Sequence, residues 1–516
     1  MLRSLAEALM NVSDERSRSV WMNVEVAPHA KSLERDESAD TVVVGSGIAG
    51  LSTAYELAAR GQSVLVLDRG PIGSGMTART TAHLTSLCDD SFDSLIGKRG
   101  VDVAKQFYLS QASAIDRIEK IQAHESIECD FRRLDGYLFP ALGSDPSTLD
   151  SSLEATRKAG MPVEDTTGLP FEGLGDLRCL RYPDQGAFHP LKYLQGLARA
   201  LQKRDMRLCA DTVVEEVAEE GGGVVVRTAG GHRVRAEAAV IATNSPINDR
   251  LAIHSKQAPY RTYAMAFLLP HGTLSDGLYW DTLDDYHYVR LQPKDARNGY
   301  LIVGGADHKS GEADDADVRF EALEAWMRNL VPRLGKETHR WSGQVLNPLD
   351  FTSFSGRNPG SERIYIHTGD SGQGITHGVV ASLLLSGLIV DGRHPWADIY
   401  DPARKPVKAA GAFISENLTA VKSFAEYVAP GELKSVDELK PGCGAIVRDG
   451  MKKIAAFRDE SGSLQLLSAA CTHLGCHLHW NSFETCWDCP CHGSQFAVDG
   501  TALNAPAVAA LAKAEE

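Results

Sequence analysis

From Thr41 onward the chain alternates short apolar runs with stretches of helical periodicity. Thr41-Val-Val-Val44 is a branched apolar run, Ile48 to Arg60 repeats apolar positions near a 3.6-residue period, and Ser63 to Leu67 is a second run closed by Asp68. Strand, glycine turn, helix and strand in that order predict a βαβ unit of roughly 30 residues. Further strands are predicted at Val213–Val217, Gly223–Thr228 and Ala238–Thr243, then at Tyr263–Leu269, Tyr286–Leu291 and Leu301–Gly304. Gly369 to Val390 reads as a glycine-rich turn opening a long helix. Pro402 and Pro406 interrupt the pattern, and Val407 to Val428 reads as a connecting helix. Beyond Pro430-Gly431 short strands and turns predict a small β domain. Residues 1–40 are charged and irregular, an arm expected to lie on the first domain, and no internal repeat is present.

Composition bounds this picture. A chain of 516 residues is too long for one core, so two or three domains are expected. A hydrophobic fraction of 43% fits a folded globular protein, and a net charge of −15 argues against nucleic acid or an anionic membrane as partner. The best apolar run, Gly378 to Val390, suits a buried helix and is too short to span a bilayer. Glu7, Asp14, Glu15 and Arg16 interrupt any signal-peptide core, which gives a cytoplasmic reading. Ten cysteines in such a chain suggest metal or redox chemistry. Cys471, Cys476, Cys486, Cys489 and Cys491 fall within 21 residues, where even spreading predicts about 0.4. Cys88, Cys129, Cys179, Cys209 and Cys443 are scattered and read as inert buried thiols.

Gly45-Ser46-Gly47-Ile48-Ala49-Gly50 follows the first strand and opens a helix, with Asp68 at the end of the next strand. Gly45 would make the tight turn, Gly47 would admit a pyrophosphate against the backbone, and Gly50 would allow close helix–strand packing. The helix N-terminus favours phosphate charge, and Asp68 can accept from a ribose hydroxyl. A bare glycine loop is weak evidence, but here strand, helix and acid are in register. One such loop and no second disfavours enzymes that bind NAD(P)H beside a flavin.

Val42 to Gly70 closely resembles the FAD-binding N-terminus of the D-amino-acid-oxidase-like superfamily, which includes glycine and sarcosine oxidases. Gly73 to His83, Val240-Ile-Ala-Thr-Asn244, Leu301 to His308 and Thr368 to Thr376 resemble later segments of that family, in order. The resemblance covers roughly residues 41 to 400. It implies an α/β Rossmann-like FAD domain (about 41–88, 186–250 and 345–400) interleaved with an α+β substrate domain (about 89–185 and 251–344). It also implies FAD contacts from the glycine loop, from Asp68 and Arg69, from Arg79, Thr80 and Thr81, and from Val214 and Thr243. The closing loop would add Gly369, Asp370, Gly372, Gly374, Ile375 and Thr376, whose helix-start amides stabilise anionic reduced flavin. No cysteine stands at the family's attachment positions, and Arg79 replaces a histidine in the early loop, so the FAD is expected to be non-covalent.

Cys471-Thr-His473 and Cys489-Pro-Cys491-His492 give C-x-H, fifteen residues, then C-x-x-H. Two thiolates on one iron and two imidazoles on the other is the Rieske [2Fe–2S] arrangement. A Cys₂His₂ zinc site uses similar ligands, but its spacing groups Cys with Cys and His with His. The segment is similar to Rieske proteins of the cytochrome bc type. That similarity implies a Cys476–Cys491 disulfide, a cluster hydrogen bond from Ser494, and Phe496 where such proteins often carry tyrosine. One hydrogen bond is then missing, and an intermediate potential is expected. Cys486 reads as structural, and His477 and His479 as surface residues. Asn504-Ala-Pro506-Ala507 departs from the family's turn, so the closing strand (residues 430–516 being the domain, after a 401–429 linker) is expected to be short or absent.

A flavin domain fused to a Rieske domain resembles bacterial FAD-dependent oxidoreductases that carry Ser19-Val-Trp-Met22, Thr80-Thr-Ala-His-Leu84 and Trp487 to Ser494. The resemblance implies oxidation of a small amine or amino acid, with hydride passing to FAD and electrons leaving singly through the cluster to an acceptor protein or oxygen. Two alternatives remain: a redox-partner flavoprotein, and an oxidase with a structural or sensing Rieske module. Tyr286, Tyr288 and Arg290 alternate on a predicted strand and could clamp a carboxylate, although a solvated sheet face reads equally well. His83, His308 and His377 are candidates for the flavin pocket, although each reads more readily as a packed or capping histidine. A Rieske oxygenase is disfavoured because no separate 2-His-1-carboxylate segment is apparent.

Overall fold

The computed structural model describes residues 15–248, 253–405, 423, 426–427, 429–450 and 452–514. The run Val42–Val44 lies in the strand Glu37–Val44, whose last four residues are buried on both faces, as a central parallel strand requires. It pairs in parallel with Val64–Leu67 on one side and Arg233–Ile241 on the other. The sheet continues through Arg207–Cys209 at one end and through Ile364–Thr368 and Phe354–Arg357 at the other. The hairpin Val214–Glu220/Gly223–Thr228 adds to Arg233–Ile241.

Two helices cover this sheet, Ile48–Ala59 and Gly374–Asp391. They meet at Gly378, where a Cβ would stand 2.9 Å from Ile48 Cγ2 and 3.1 Å from the Ala49 amide. Gly374–Asp391 is long and apolar enough to cross a membrane by length and composition, but 67% of it is buried inside the fold.

A second, mostly antiparallel sheet runs Glu337–Pro348, Gln257–Pro270, Asn298–Lys309, Tyr288–Pro293, Leu278–Asp281, Arg132–Phe139, Cys179–Ala187 and His83–Leu84. Its long strands exceed the runs read from sequence because polar residues interleave with the buried ones, as in Gln257–Pro270. Tyr286 lies ahead of the strand that carries Tyr288 and Arg290.

The C-terminal unit holds two small sheets. Cys443–Asp449, Lys452–Arg458 and Leu464–Ser468 form a meander. His479–Asn481, Cys486–Asp488, Gln495–Ala497 and Ala502–Asn504 form the other. The closing strand is short, three residues, but the chain continues past it. The amide of Ser468 donates to Ala512 O at 2.8 Å and that of Ala514 to Leu466 O at 3.0 Å, tying the tail back to the meander.

Two expectations are corrected. The arm does not merely rest on the first domain: Glu15, Ser17, Ser19, Val20, Trp21 and Met22 are buried, and Arg16 N donates to Phe483 O while Arg18 N donates to Arg340 O. The arm is therefore wedged between the second sheet and the C-terminal unit. Cys443 is exposed, since it starts the edge strand of the meander. The helix read at Val407–Val428 falls almost wholly outside the described residues.

Candidate functional site

A cavity of 1040 Å³ opens at the C-terminal ends of the parallel strands, where doubly wound sheets place their ligands. Gly45, Ser46, Gly47, Ile48 and Ala49 form its floor. Gly45 has φ +101°, and a Cβ there would lie 2.3 Å from Ala242 O. A Cβ on Gly50 would fall 1.9 Å from Gly45 O. Gly50 thus lies behind the cavity and lets helix and turn touch. A dinucleotide pyrophosphate fits this cradle, because the turn offers amides with no side chain in the way.

Asp68 lines the cavity, with its carboxylate accepting from Ser46 N at 2.7 Å and Gly70 N at 3.1 Å. Burial raises its pKa, opposed by the Ser46 and Gly70 hydrogen bonds. Arg69, Thr80, Thr81, Val214, Thr243, Asp370, Gly372, Gly374 and Ile375 also line the cavity. Gly369 and Thr376 sit just behind the lining.

Two arginines are corrected. Arg79 reaches the wall, but its guanidinium turns away to pair with Glu15 at 2.7 Å and Glu484 at 3.1 Å, both buried. Its charge is consumed there and does not face a cofactor. Arg290 is fully buried and absent from the lining. Its guanidinium donates to the carbonyls of Thr81, Ala82 and Phe188 and to Gln292 Oε1, so it cannot clamp a substrate carboxylate.

Tyr286 and Tyr288 do line the cavity, with ring centroids 5.6 Å apart. Gly304 makes room for Tyr288, since a Cβ would meet its ring at 2.3 Å. The Tyr286 hydroxyl donates to Asp89, which also accepts from Gly372 N at 3.1 Å and the Ser371 hydroxyl at 3.2 Å. Asp90 and Asp307 complete an acidic corner beside the closing loop. Burial pushes Asp90 up to about 7, reinforced by Asp89. Burial also pushes Asp307 up to about 7, against a hydrogen bond from Thr262. Sequence reading missed these acids because the Asp89-Asp90 pair and Asp307 are far apart along the chain and no motif spacing joins them. His83 lines the cavity and is held neutral, its pKa lowered to about 3 by burial and Arg290. His308 and His377 lie off it, bonded to Tyr263 and to the Asp370 carbonyl.

The cluster ligands come together on two facing loops. Cys471 N donates to Cys476 O at 2.9 Å, and Cys489 N to Ser494 O at 2.8 Å. A Cys476–Cys491 disulfide bridges the loops. The His473 and His492 rings stand 5.0 Å apart, and His492 Nδ1 is buried with no hydrogen-bond partner. The Cys489 thiol beside Cys471 holds the latter's pKa down to about 7, against burial. Adjacent sulfurs, adjacent imidazoles and an orphaned ring nitrogen fit a [2Fe–2S] cluster. The Ser494 hydroxyl lies toward Cys471 and accepts from Ala507 N at 3.1 Å. Phe496 is buried in this core, and Cys486 is a buried thiol near Asp488. His477 is corrected: at 3% exposure it is not a surface residue.

The two sites share walls. Leu503, Asn504 and Ala505 of the C-terminal unit line the cavity, and Arg69 donates to Ala502 O at 3.0 Å. Gln344 also lines it and donates to Gly493 O at 2.8 Å, one residue from His492. His254 packs its ring 4.9 Å from that of His473 and 5.5 Å from that of His492. Behind this contact, Arg261 pairs with Asp488 at 2.9 Å.

Comparison with known proteins matches this arrangement. The family described as FAD dependent oxidoreductase matches residues 40–388, and the Rieske [2Fe-2S] domain matches residues 430–515. The putative Rieske 2Fe-2S iron-sulfur protein YhfW of Bacillus subtilis (strain 168) is 29% identical over 98% of this chain and 99% of its own. Gamma-glutamylputrescine oxidoreductase of Escherichia coli (strain K12) is 27% identical, covering 69% of this chain and 85% of its own. The cytochrome b6-f complex iron-sulfur subunit of Chlorobaculum tepidum (strain ATCC 49652 / DSM 12025 / NBRC 103806 / TLS) is 34% identical over 20% of this chain and 61% of its own. Glycine oxidase from Geobacillus kaustophilus shares the fold at a TM-score of 0.60 and 19% identity, covering 72% of this chain and 99% of that one.

Proposed function

Because this chain belongs to the FAD dependent oxidoreductase family and carries a Rieske [2Fe-2S] domain, we propose that it dehydrogenates a small cationic amine and passes the electrons through the cluster to an external acceptor. The observation that carries this reading is the shared wall: Gln344 lines the cavity and bonds to Gly493, beside the ligand His492. Bound FAD would supply a two-electron acceptor and the cluster a one-electron carrier.

The acidic corner supports an amine over an amino acid. Asp89, Asp90 and Asp307 line it, whereas the cationic lining residues, Arg69 and Arg79, are engaged with Ala502 and with Glu15 and Glu484. An ammonium group must lose a proton before its neighbouring carbon can give up hydride. Asp90 and Asp307, each near 7, are matched to take it. Tyr286 and Tyr288 bound the same corner with apolar ring faces. The gamma-glutamylputrescine oxidoreductase relative, named for an amine, agrees with this substrate class.

The test is anaerobic mixing of the cofactor-replete chain with panels of amines and amino acids, following flavin bleaching and then cluster reduction. Amines should bleach the flavin first and reduce the cluster next. Flavin bleaching with a permanently oxidised cluster would sink the exit route. No bleaching by any compound would favour a redox partner that receives its electrons from another protein.

A further inference from the structure

Outside both sites, Glu426, His477 and His479 converge on one point. Glu426 Oε2 stands 3.2 Å from His477 Nδ1 and 3.0 Å from His479 Nε2. The three ligand atoms all lie within 4.8 Å of one another. These approaches are misaligned for hydrogen bonding: Glu426 Oε2 and both ring nitrogens of His477 are buried with no hydrogen-bond partner. Buried polar atoms left unsatisfied are destabilising, so the arrangement calls for a partner. A cation between them would satisfy the carboxylate oxygen and one nitrogen from each ring together.

The surroundings hold the imidazoles in place. His477 N donates to Ser423 Oγ at 2.8 Å, and its ring packs edge-on against Tyr427 at 5.3 Å. Tyr427 in turn donates to Gly475 O at 3.0 Å. The His477 and His479 rings stand 5.3 Å apart at 69°, so their nitrogens approach from different directions. Two imidazoles and one carboxylate suit zinc and equally ferrous iron, which takes the same triad, whereas magnesium and calcium prefer all-oxygen sites. Tetrahedral zinc with bonds of about 2.0–2.1 Å holds its ligand atoms roughly 3.3 Å apart, close to the separations from Glu426.

We propose that Glu426, His477 and His479 bind one divalent first-row transition ion, with zinc as the ion probed and water in the open position. The sequence hid this site because the carboxylate lies far upstream of the histidine pair. Zinc carries no electron, so its task is positional. It clasps the residues Ser423, Glu426 and Tyr427 onto the stretch that runs from Cys471 to His479, which bears two cluster ligands and half of the disulfide.

Elemental analysis of the full-length, cluster-replete chain, equilibrated with Zn(II) and gel-filtered, should find one zinc beyond the cluster iron. His479→Gln and Glu426→Gln should each lose that zinc while the visible absorption of the cluster persists. In the unaltered chain Co(II) should occupy the same place and show the intense ligand-field bands of a tetrahedral N/O site. A wild-type chain that retains no zinc and shows no such Co(II) bands would overturn the proposal. So would zinc retained undiminished in both variants.

Discussion

At the residue scale, the most informative group is the buried charge cluster Arg79, Arg261, Glu15, Glu484 and Asp488, where the arm, the second sheet and the Rieske unit meet. Glu484 is held below the usual carboxylate range by Arg79 and Arg261, which outweigh its burial. Burial instead lifts Glu15 to about 8, against the pull of Arg79. At neutral pH Glu484 therefore carries its charge between the two arginines, with Glu15 protonated. Glu484→Ala should cost about 3–5 kcal/mol in denaturant unfolding, because it leaves the buried Arg79 guanidinium beside a protonated Glu15 with no ionised partner, while Arg261 keeps Asp488. Glu15→Gln, which mimics the protonated acid, should cost under about 1 kcal/mol. The pH dependence should differ too. A raised native pKa means stability is full below the ordinary value of 4.5 and is lost as pH rises through about 8. The unfolding free energy measured across that window should decline in the wild type and flatten in Glu15→Gln. None of this was legible in the sequence: Arg79 and Glu484 are 405 positions apart. The cluster ligands, in contrast, were legible because their chemistry is written in spacings of two and three residues.

At the element scale, the βαβ unit was readable because its signals are local: a buried run, a glycine turn, a helical repeat. The second sheet was read only in fragments, and the strand Glu337–Pro348 was not read at all, because its polar residues face the cavity and the Rieske unit. Gln344 on that strand is the residue that joins them. Gln344→Ala should slow cluster reduction about tenfold in stopped-flow mixing by loosening the docked geometry. Flavin bleaching by substrate should proceed at its former rate. Gly50→Ala should act earlier in the chain of events. Its Cβ would collide with Gly45 O at 1.9 Å, so the loop must open and the purified protein should carry little FAD. The flavin-to-protein absorbance ratio reads this directly.

At the scale of the whole molecule, the acids in the cavity set how activity depends on pH. Asp90 and Asp307 are neutral below about 7 and anionic above it, so attraction for an ammonium substrate grows as pH rises through that value. The kcat/KM for an amine should therefore climb across pH 7, and Asp307→Asn should flatten the climb while lowering its plateau roughly tenfold. The single cavity wall given by Leu503, Asn504 and Ala505 has a further consequence, for biogenesis. A ribosome delivers the glycine loop early and these residues very late. The flavin compartment is thus a room whose last wall arrives with the iron–sulfur unit, and maturation of the two cofactors is bound into one sequence of events. A chain whose Rieske unit fails to fold would lack that wall and hold its flavin loosely.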